Sequence, residues 1–507
     1  MRRVAWLLAG SLGACACGAP PEQVRARSAP ELNVAVQGDI TGLYPALRNE
    51  SFSFAVNANV FEGLTSLGRD LAPQPALADA WENPDEHTWL FHLRPGVRFS
   101  DTQPVRARDV VASLRFAMTA DATRTLLAPV ESVDSPSEEQ VRVRTRFPCP
   151  VLLSHLAFAY VLPESALASP KGPPAPGTGP LRVESWQPGR ELVVVRNSSF
   201  RGTPPDFERV RFVVTPDPAA RLAALRAGRV DIADNVPNQE IEALRRSPSL
   251  RVVSRPGLRV LFLALPVDVA PFTSPRVREA IDLALDRPEL VKRALGGFGA
   301  PASQLVPPPV LGYNPDIPVT GVNRARAREL LRAAGVPAGV SLRLEGPTNR
   351  YPSGVEIMAE VARQLGEVGL RVAVEARPKE EFFEDVDAGR YQLLLYGWSC
   401  ETVQAGEALD ELIHTPPAGK GRNIEHFSDP AIDRLIDTAN RSSSLRERGA
   451  RLAQALAAVS RARPVIPLAI QNESFAFSAE RVAWDPSLDM ALHMADVHRA
   501  PPAPLVR

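Results

Sequence analysis

The sequence predicts an α/β protein built as two lobes, on three observations. A compact strand-helix-strand unit spans Val210 to Asp234, a longer alternation of strands and helices spans residues 341 to 396, and helical segments near Ser274 to Gly296 and Arg324 to Gly335 lie between them. Alternation of this kind builds a mostly parallel sheet with helices on its faces, and two such regions imply two lobes.

Taken in order, Glu31 to Val36 alternates polar and apolar residues as a half-buried strand does. Leu90 to Phe99 reads as a hairpin turning at Pro95-Gly96, and the helix after it carries Val110, Val111 and Leu114 on one face behind Asp109. Residues 168 to 180 are so rich in proline and glycine that no regular element fits, because proline lacks the amide donor and glycine has no preferred backbone basin. This is the clearest internal boundary. In the unit that follows, Val210, Phe212, Val213 and Val214 form a strand. Asp217 caps a helix with Pro218 in its first turn, Leu222 and Leu225 face the core, Gly228 ends the helix, and Val230 and Ile232 start the next strand. The helix at Ser274 has Pro275 in its first turn and buries Val277, Ile281 and Leu285. The longer region reads as strand 341–345, helix 353–368 with Val355, Met358, Val361, Leu365 and Val368 on one stripe, strand 370–376, helix 378–388 and strand 391–396.

The bulk numbers fit this picture. A chain of 507 residues, 45% hydrophobic and 23% charged, has the balance of a globular protein and the length of two to four domains. With 58 basic and 58 acidic residues it lacks the basic surface that releases counterions from a phosphate backbone, so no nucleic-acid partner is expected. Its start reads as an export signal: Arg2 and Arg3, then a mostly apolar run from Val4 to Ala14 that is too short to span a bilayer. Leu12-Gly13-Ala14-Cys15 resembles the lipobox of bacterial lipoproteins, which makes Cys15 the expected acylated residue and residues 1–14 the signal peptide. Cys17 is a weaker second candidate, and residues 15–30 make a flexible tether. Cys149 and Cys400 either pair or stay as buried thiols; spacing does not decide.

Catalytic signatures are missing: no His-Glu-x-x-His, no Gly-x-Ser-x-Gly, no P-loop and no Gly-x-Gly-x-x-Gly after a strand. The seven histidines are scattered, and the Glu380-Glu381 pair reads as a solvated helix face. No enzyme, metal site or cofactor is expected. In open parallel sheets, however, ligands bind beyond the carboxyl ends of the strands. The strand Tyr391 to Tyr396 runs into Gly397-Trp398-Ser399-Cys400-Glu401. There Gly397 permits close approach, Trp398 offers an apolar face, and Glu401 can pair with a cation; Gly397, Trp398, Ser399 and Glu401 are the candidate ligand-binding residues. The competing reading makes Trp398 core and Glu401 a solvated loop residue.

Segments along nearly the whole chain carry a resemblance. Val60-Phe61-Glu62-Gly63-Leu64, Pro75 to Glu82, Phe91 to Asp101 and Ala107 to Leu114 follow one another in a recognisable order. Further on come Gly177-Thr178-Gly179-Pro180 with Val195-Arg196-Asn197, Leu225 to Ile232, Arg276 to Ile281, Leu330 to Gly335, Tyr391 to Trp398 and Phe427 to Asp433. In these segments the sequence resembles the family 5 extracellular solute-binding proteins, the dipeptide and oligopeptide binders of ABC importers.

The resemblance implies a periplasmic-binding-protein fold of three domains: lobe I from residues 31–54, 178–256 and 465–507, an inserted domain from 55–177, and lobe II from 257–464. It implies an extracytoplasmic, lipid-anchored monomer that captures short peptides or similar solutes in an interlobe cleft and delivers them to ABC permease subunits. Relatives that bind metal chelates, sugars or opines, and a role as a peptide-signal sensor, are the alternatives. Peptide binders of the family hold the ligand's α-ammonium group with an aspartate shortly after the glycine-tryptophan pair; the matching position here is Glu401. Three departures stand out: Thr102 where glycine is usual after Asp101, Pro266 where asparagine often follows the strand 260–265, and a stretch 401–408 without the usual aspartate pair.

Overall fold

Two long strands, Leu250–Ala264 and Val465–Ser478, pair antiparallel along most of their length and carry the architecture. Both are near-continuous apolar runs where they cross the middle of the molecule, the pattern of a strand covered on both faces. They belong to an 11-stranded sheet in the computed structural model, which describes residues 31–40, 42–45, 51–120, 123–168, 174–416 and 423–501. Cys15, Cys17 and the tether lie outside the described residues.

The sheet has two arms. Where Leu250 to Pro256 pairs with Asn472 to Ser478, Ile232–Ala233 continues the sheet into Glu31–Val36, Arg209–Val214, Glu191–Arg196 and Leu181–Gln187. Where Val260 to Ala264 pairs with Val465 to Ile470, the sheet continues through Leu393–Ser399 into Ser341–Pro347 and Arg371–Arg377. Between the halves the register shifts, because Pro256 faces Asn472 while Val260 faces Ile470. Gly257, Leu258 and Arg259 therefore bulge out of the ladder with Val465–Ser478, while Arg259 stays paired with Ser399 on the other side. A bulge bends its strand, increases the local twist and re-aims side chains, so the two arms lean on each other at an angle set here.

The strand-helix-strand unit predicted at 210–234 is present. Arg209–Val214 and Ile232–Ala233 flank Glu31–Val36, both parallel to it, and the connecting helix Pro218–Arg226 is capped by the Asp217 carboxylate, which accepts from the Ala219 amide at 3.0 Å. The longer alternation forms the second arm, with helix Gly354–Gly366 packing Ile357, Met358, Val361 and Leu365 onto the sheet. Truncating one of these fully buried side chains to alanine would cost about 2–5 kcal/mol. Residues 64–161 carry a core of their own, built from a four-stranded antiparallel sheet (Ala78–Asp85, Thr88–Leu93, Gln140–Thr145, Val130–Ser137) and helix Ala107–Ala117.

Some expectations change. Val355 is exposed, because the buried face of the helix runs through Gly354, Ile357, Val361 and Leu365 and leaves Val355 at its edge. Leu90 to Phe99 is not a hairpin: Pro95-Gly96 does turn the chain, but Thr88–Leu93 pairs with Ala78–Asp85 and Gln140–Thr145 instead. The strand placed at 391–396 begins at Leu393 and continues to Ser399, since pairing of Gly397, Trp398 and Ser399 with Leu261, Val260 and Arg259 keeps them extended. Cys149 and Cys400 are buried free thiols in separate cores. Thr102 stands at φ 73°, the left-handed region that glycine fills without steric cost. Among the described residues no helix is long and apolar enough to cross a membrane.

Candidate functional site

Parallel strands on both arms end at one cavity of about 520 Å³. From the first arm, Glu31–Val36 delivers Gln37 to Ile40, Arg209–Val214 delivers Val214 and Pro216, and Ile232–Ala233 delivers Asp234 and Asn235. From the second arm, Ser341–Pro347 delivers Asn349 and Arg350, Arg371–Arg377 delivers Lys379 and Glu380, and Leu393–Ser399 delivers Ser399 and Glu401. The bulge adds Leu258 and Arg259, and the strand opposite adds Glu473 to Phe475. Phe158, Tyr160 and the segment Asp489 to His493 complete the wall. Across the mouth, the Gln37 side-chain amide donates to the Asn349 carbonyl at 2.8 Å, so the two arms touch there.

The loops of the first arm and the segment at Asp489 are held by polar contacts. The Arg221 guanidinium, buried, donates to the carbonyls of Thr215 and Pro216, both at 2.8 Å, and of Asn235 at 3.1 Å, pinning two strand ends together. Asp234 lies 3.3 Å from Arg221 and accepts from the Gln37 amide at 2.9 Å. Burial nevertheless raises its carboxyl to about 6, outweighing Arg221. Asp489 goes the other way: burial would raise it, but the His493 ring nitrogen at 2.8 Å and donors from Ser487 and the Ala491 amide bring it down to about 2. The same contact holds His493 above the ordinary histidine value against its burial. Glu473 is pushed up to about 7 by burial, which the Arg259 guanidinium at 4.0 Å opposes and the charges of Glu401, Asp489 and Asp234 reinforce. Burial, then the charges of Glu401 and Asp489, raise the Tyr160 phenol as well, which sets those two carboxylates near it.

Arg350 stands apart. Its guanidinium carbon lies 5.6 Å from the Phe383 ring centre and 6.0 Å from that of Tyr351, and its buried Nε has no hydrogen-bond partner among the described residues. A guanidinium stacked on rings keeps its in-plane donors available for a planar carboxylate.

Of the four residues singled out from sequence, Ser399 and Glu401 line the cavity, while Gly397 and Trp398 are not among its lining residues. At Gly397 a Cβ would come within 2.7 Å of Leu261 Cδ2 and 3.0 Å of the Tyr351 ring, so the glycine makes room for packing. Trp398 points to the other face of the strand and packs half-buried in the cluster of Phe262, Tyr396 and Cys400. Glu380 of the paired carboxylates also lines the cavity, whereas Glu381 is not among its lining residues. Arg350 and Lys379 sit beyond parallel strands whose ends the sequence does show, so the same crevice rule reaches them. Arg259, Glu473, Asp489 and His493 carry no such signal, because a bulge and a non-repetitive segment place them.

Known proteins share this fold. The glutathione-binding protein GsiB of Salmonella typhi is 26% identical over 487 residues, covering 92% of this chain and 93% of the relative. The periplasmic binding protein DppA of Helicobacter pylori, solved in complex with peptide STSA, superposes with a TM-score of 0.83 at 23% identity, over 93% of this chain and 98% of that one. NikZ of Campylobacter jejuni in complex with Ni(L-His) superposes with a TM-score of 0.84 at 19% identity, over 93% of this chain and 100% of that one. Residues 72–420 match the model of the bacterial extracellular solute-binding proteins, family 5, middle region, and the chain belongs to that family, the solute-binding proteins of ABC importers.

Proposed function

We propose that the solute is a short peptide or a similar zwitterion, held between the two arms by its charged ends and passed from there to the permease. The observation that carries this reading is the convergence, on one cavity of about 520 Å³, of the carboxylates Glu401, Glu473 and Asp489 with the guanidinium of Arg350. That volume falls within the about 300–1,000 Å³ of small-molecule sites. An ammonium group moved from water into such a cavity loses its hydration at a cost of several kcal/mol unless an anion meets it. Glu401 takes that role in this reading, and Arg350 receives the peptide carboxylate. Glutamate reaches one methylene further than aspartate, which sets the amino end further from the strand. The relatives that bind glutathione and the peptide STSA support a peptide-like solute.

Calorimetry with a free and an N-acetylated tripeptide tests the reading. Hydrogen bonds to charged groups contribute roughly 1.5–3 kcal/mol, so Glu401→Gln should weaken binding of the free peptide about tenfold to a hundredfold and abolish its advantage over the acetylated one. Equal binding of both peptides to the intact protein would show that Glu401 does not hold an amine, and would turn attention to a non-peptide solute.

The protein works outside the cytoplasmic membrane in this reading, as a monomer tethered through acylated Cys15 and without catalysing a reaction on its solute. Each buried CH₂ of a lipid chain adds about 0.8 kcal/mol to membrane attachment. Cys15→Ala should therefore release the protein from the membrane fraction or leave an uncleaved precursor; unchanged attachment with undiminished fatty-acid labelling would refute the anchor.

A further inference from the structure

We infer that the solute carries a net positive charge, a basic group beyond its amino and carboxyl ends, and that Glu473 at the crossing of the two long strands receives it. The inference rests on the peptide reading above and narrows it to one class of peptide.

The charges lining the cavity decide the sign. Six carboxylates line the cavity: Asp39, Asp234, Glu380, Glu401, Glu473 and Asp489. The cations that face them are Arg259, Arg350, Lys379 and His493, with Arg221 behind Asp234. With all six ionised, which for Glu473 means above about pH 7, carboxylates exceed cations by one even with His493 protonated. A zwitterionic peptide leaves that excess in place, and a peptide with one more cation removes it. In a partly dehydrated cavity an uncompensated charge is costly, so the excess selects among solutes.

The geometry says where the extra cation sits. The tight charge pairs are Asp489 with His493 at 2.8 Å and Asp234 with Arg221 at 3.3 Å; Asp39 accepts from the Trp186 indole and the Gly189 amide, and Glu380, largely exposed to water, lies 3.9 Å from Lys379. Glu473 has Arg259 only at 4.0 Å, well beyond the roughly 2.7–2.9 Å of a charge-assisted hydrogen bond. A second donor can therefore approach the same carboxylate. The bulge makes this place: a Cβ on Gly257 would come within 2.9 Å of Glu473 Cγ, so glycine there leaves the glutamate its room. The raised carboxyl of Glu473, due first to burial and then to its acidic neighbours, agrees with an excess of negative charge at this point. Glutathione, a net anion at neutral pH, fits this balance poorly.

Calorimetry on the full chain tests it, with trialanine, the three trialanine variants carrying one lysine, the three carrying one glutamate, glutathione and putrescine as probes. At least one lysine peptide should bind about tenfold or more tighter than trialanine, and every glutamate peptide weaker. Glu473→Gln should bring the lysine-to-alanine ratio towards one, whereas Glu473→Asp, which keeps the charge, should retain part of it. Circular dichroism of both variants establishes that they fold. Lysine peptides no tighter than trialanine at any position would overturn the inference while leaving the peptide reading intact, and so would a ratio unchanged in Glu473→Gln. If no tripeptide binds, the peptide reading falls and putrescine decides alone: binding that Glu473→Gln weakens upholds the cation site, and no binding overturns it.

Discussion

Glu425 is fully buried, and neither of its carboxyl oxygens has a hydrogen-bond partner among the described residues. Burial pushes its carboxyl up to about 8. A carboxyl whose folded value lies above its unfolded one, about 4.3 for glutamate, binds its proton more tightly in the folded protein. Its contribution to stability is full below the unfolded value and is lost as pH rises towards about 8. Glu425→Gln should accordingly flatten the fall in stability between roughly pH 5 and pH 8, by about 1.4 kcal/mol for each unit by which burial raises the group. Thermal unfolding of both proteins across that range checks it; parallel curves would mean that Glu425 stays ionised with a partner. Thr102 is the other informative residue. The sequence marked it as a departure from glycine, and its φ of 73° gives the departure a physical cost, about 1–2 kcal/mol for a side chain in the left-handed region.

Elements with local signals were legible in the sequence. Asp217-Pro218 and Gly228 bracket the helix Pro218–Arg226, and Pro275 opens Pro275–Ala284, because caps and first-turn prolines act within a few residues; the Ser274 side chain makes no capping hydrogen bond. Elements defined by distant partners were not. Thr88–Leu93 has a turn after it but pairs with strands before it and some 50 residues later, and Leu393–Ser399 extends past Tyr396 only because Val260 and Leu261 lie beside it. The site divides the same way. Ser399 and Glu401 follow from a strand end visible in the sequence. The same rule applied to every parallel strand reaches Asp234, Arg350 and Lys379. Glu473 and Arg259 owe their place to a register shift between strands more than 200 residues apart, and periodicity carries no trace of that. Trp398 shows the converse: its chemistry suggested a ligand face, but alternation along a strand longer than expected turns it into the cluster behind the cavity.

At the scale of the whole molecule, two arms of one sheet share a pair of strands and aim their carboxyl ends at the same space. Among the described residues the bulge at Gly257 to Arg259 and its partner strand join the arms within the sheet, so bending there changes the width of the cavity while each arm keeps its own core. A solute that touches both arms binds the closed form better, and this differential affinity is what draws the arms together. The deciding question is whether the solute occupies that space. Ala58, on the helix Ser51–Val60, lines the cavity of about 520 Å³, and an indole at that position would obstruct part of it. Native mass spectrometry of the protein purified without denaturation, beside folded Ala58→Trp, makes the most direct measurement. The intact protein should retain small peptide-like solutes, released on unfolding, and Ala58→Trp should retain markedly less of them. The same solutes at the same occupancy in Ala58→Trp would place the binding site elsewhere and contradict this reading.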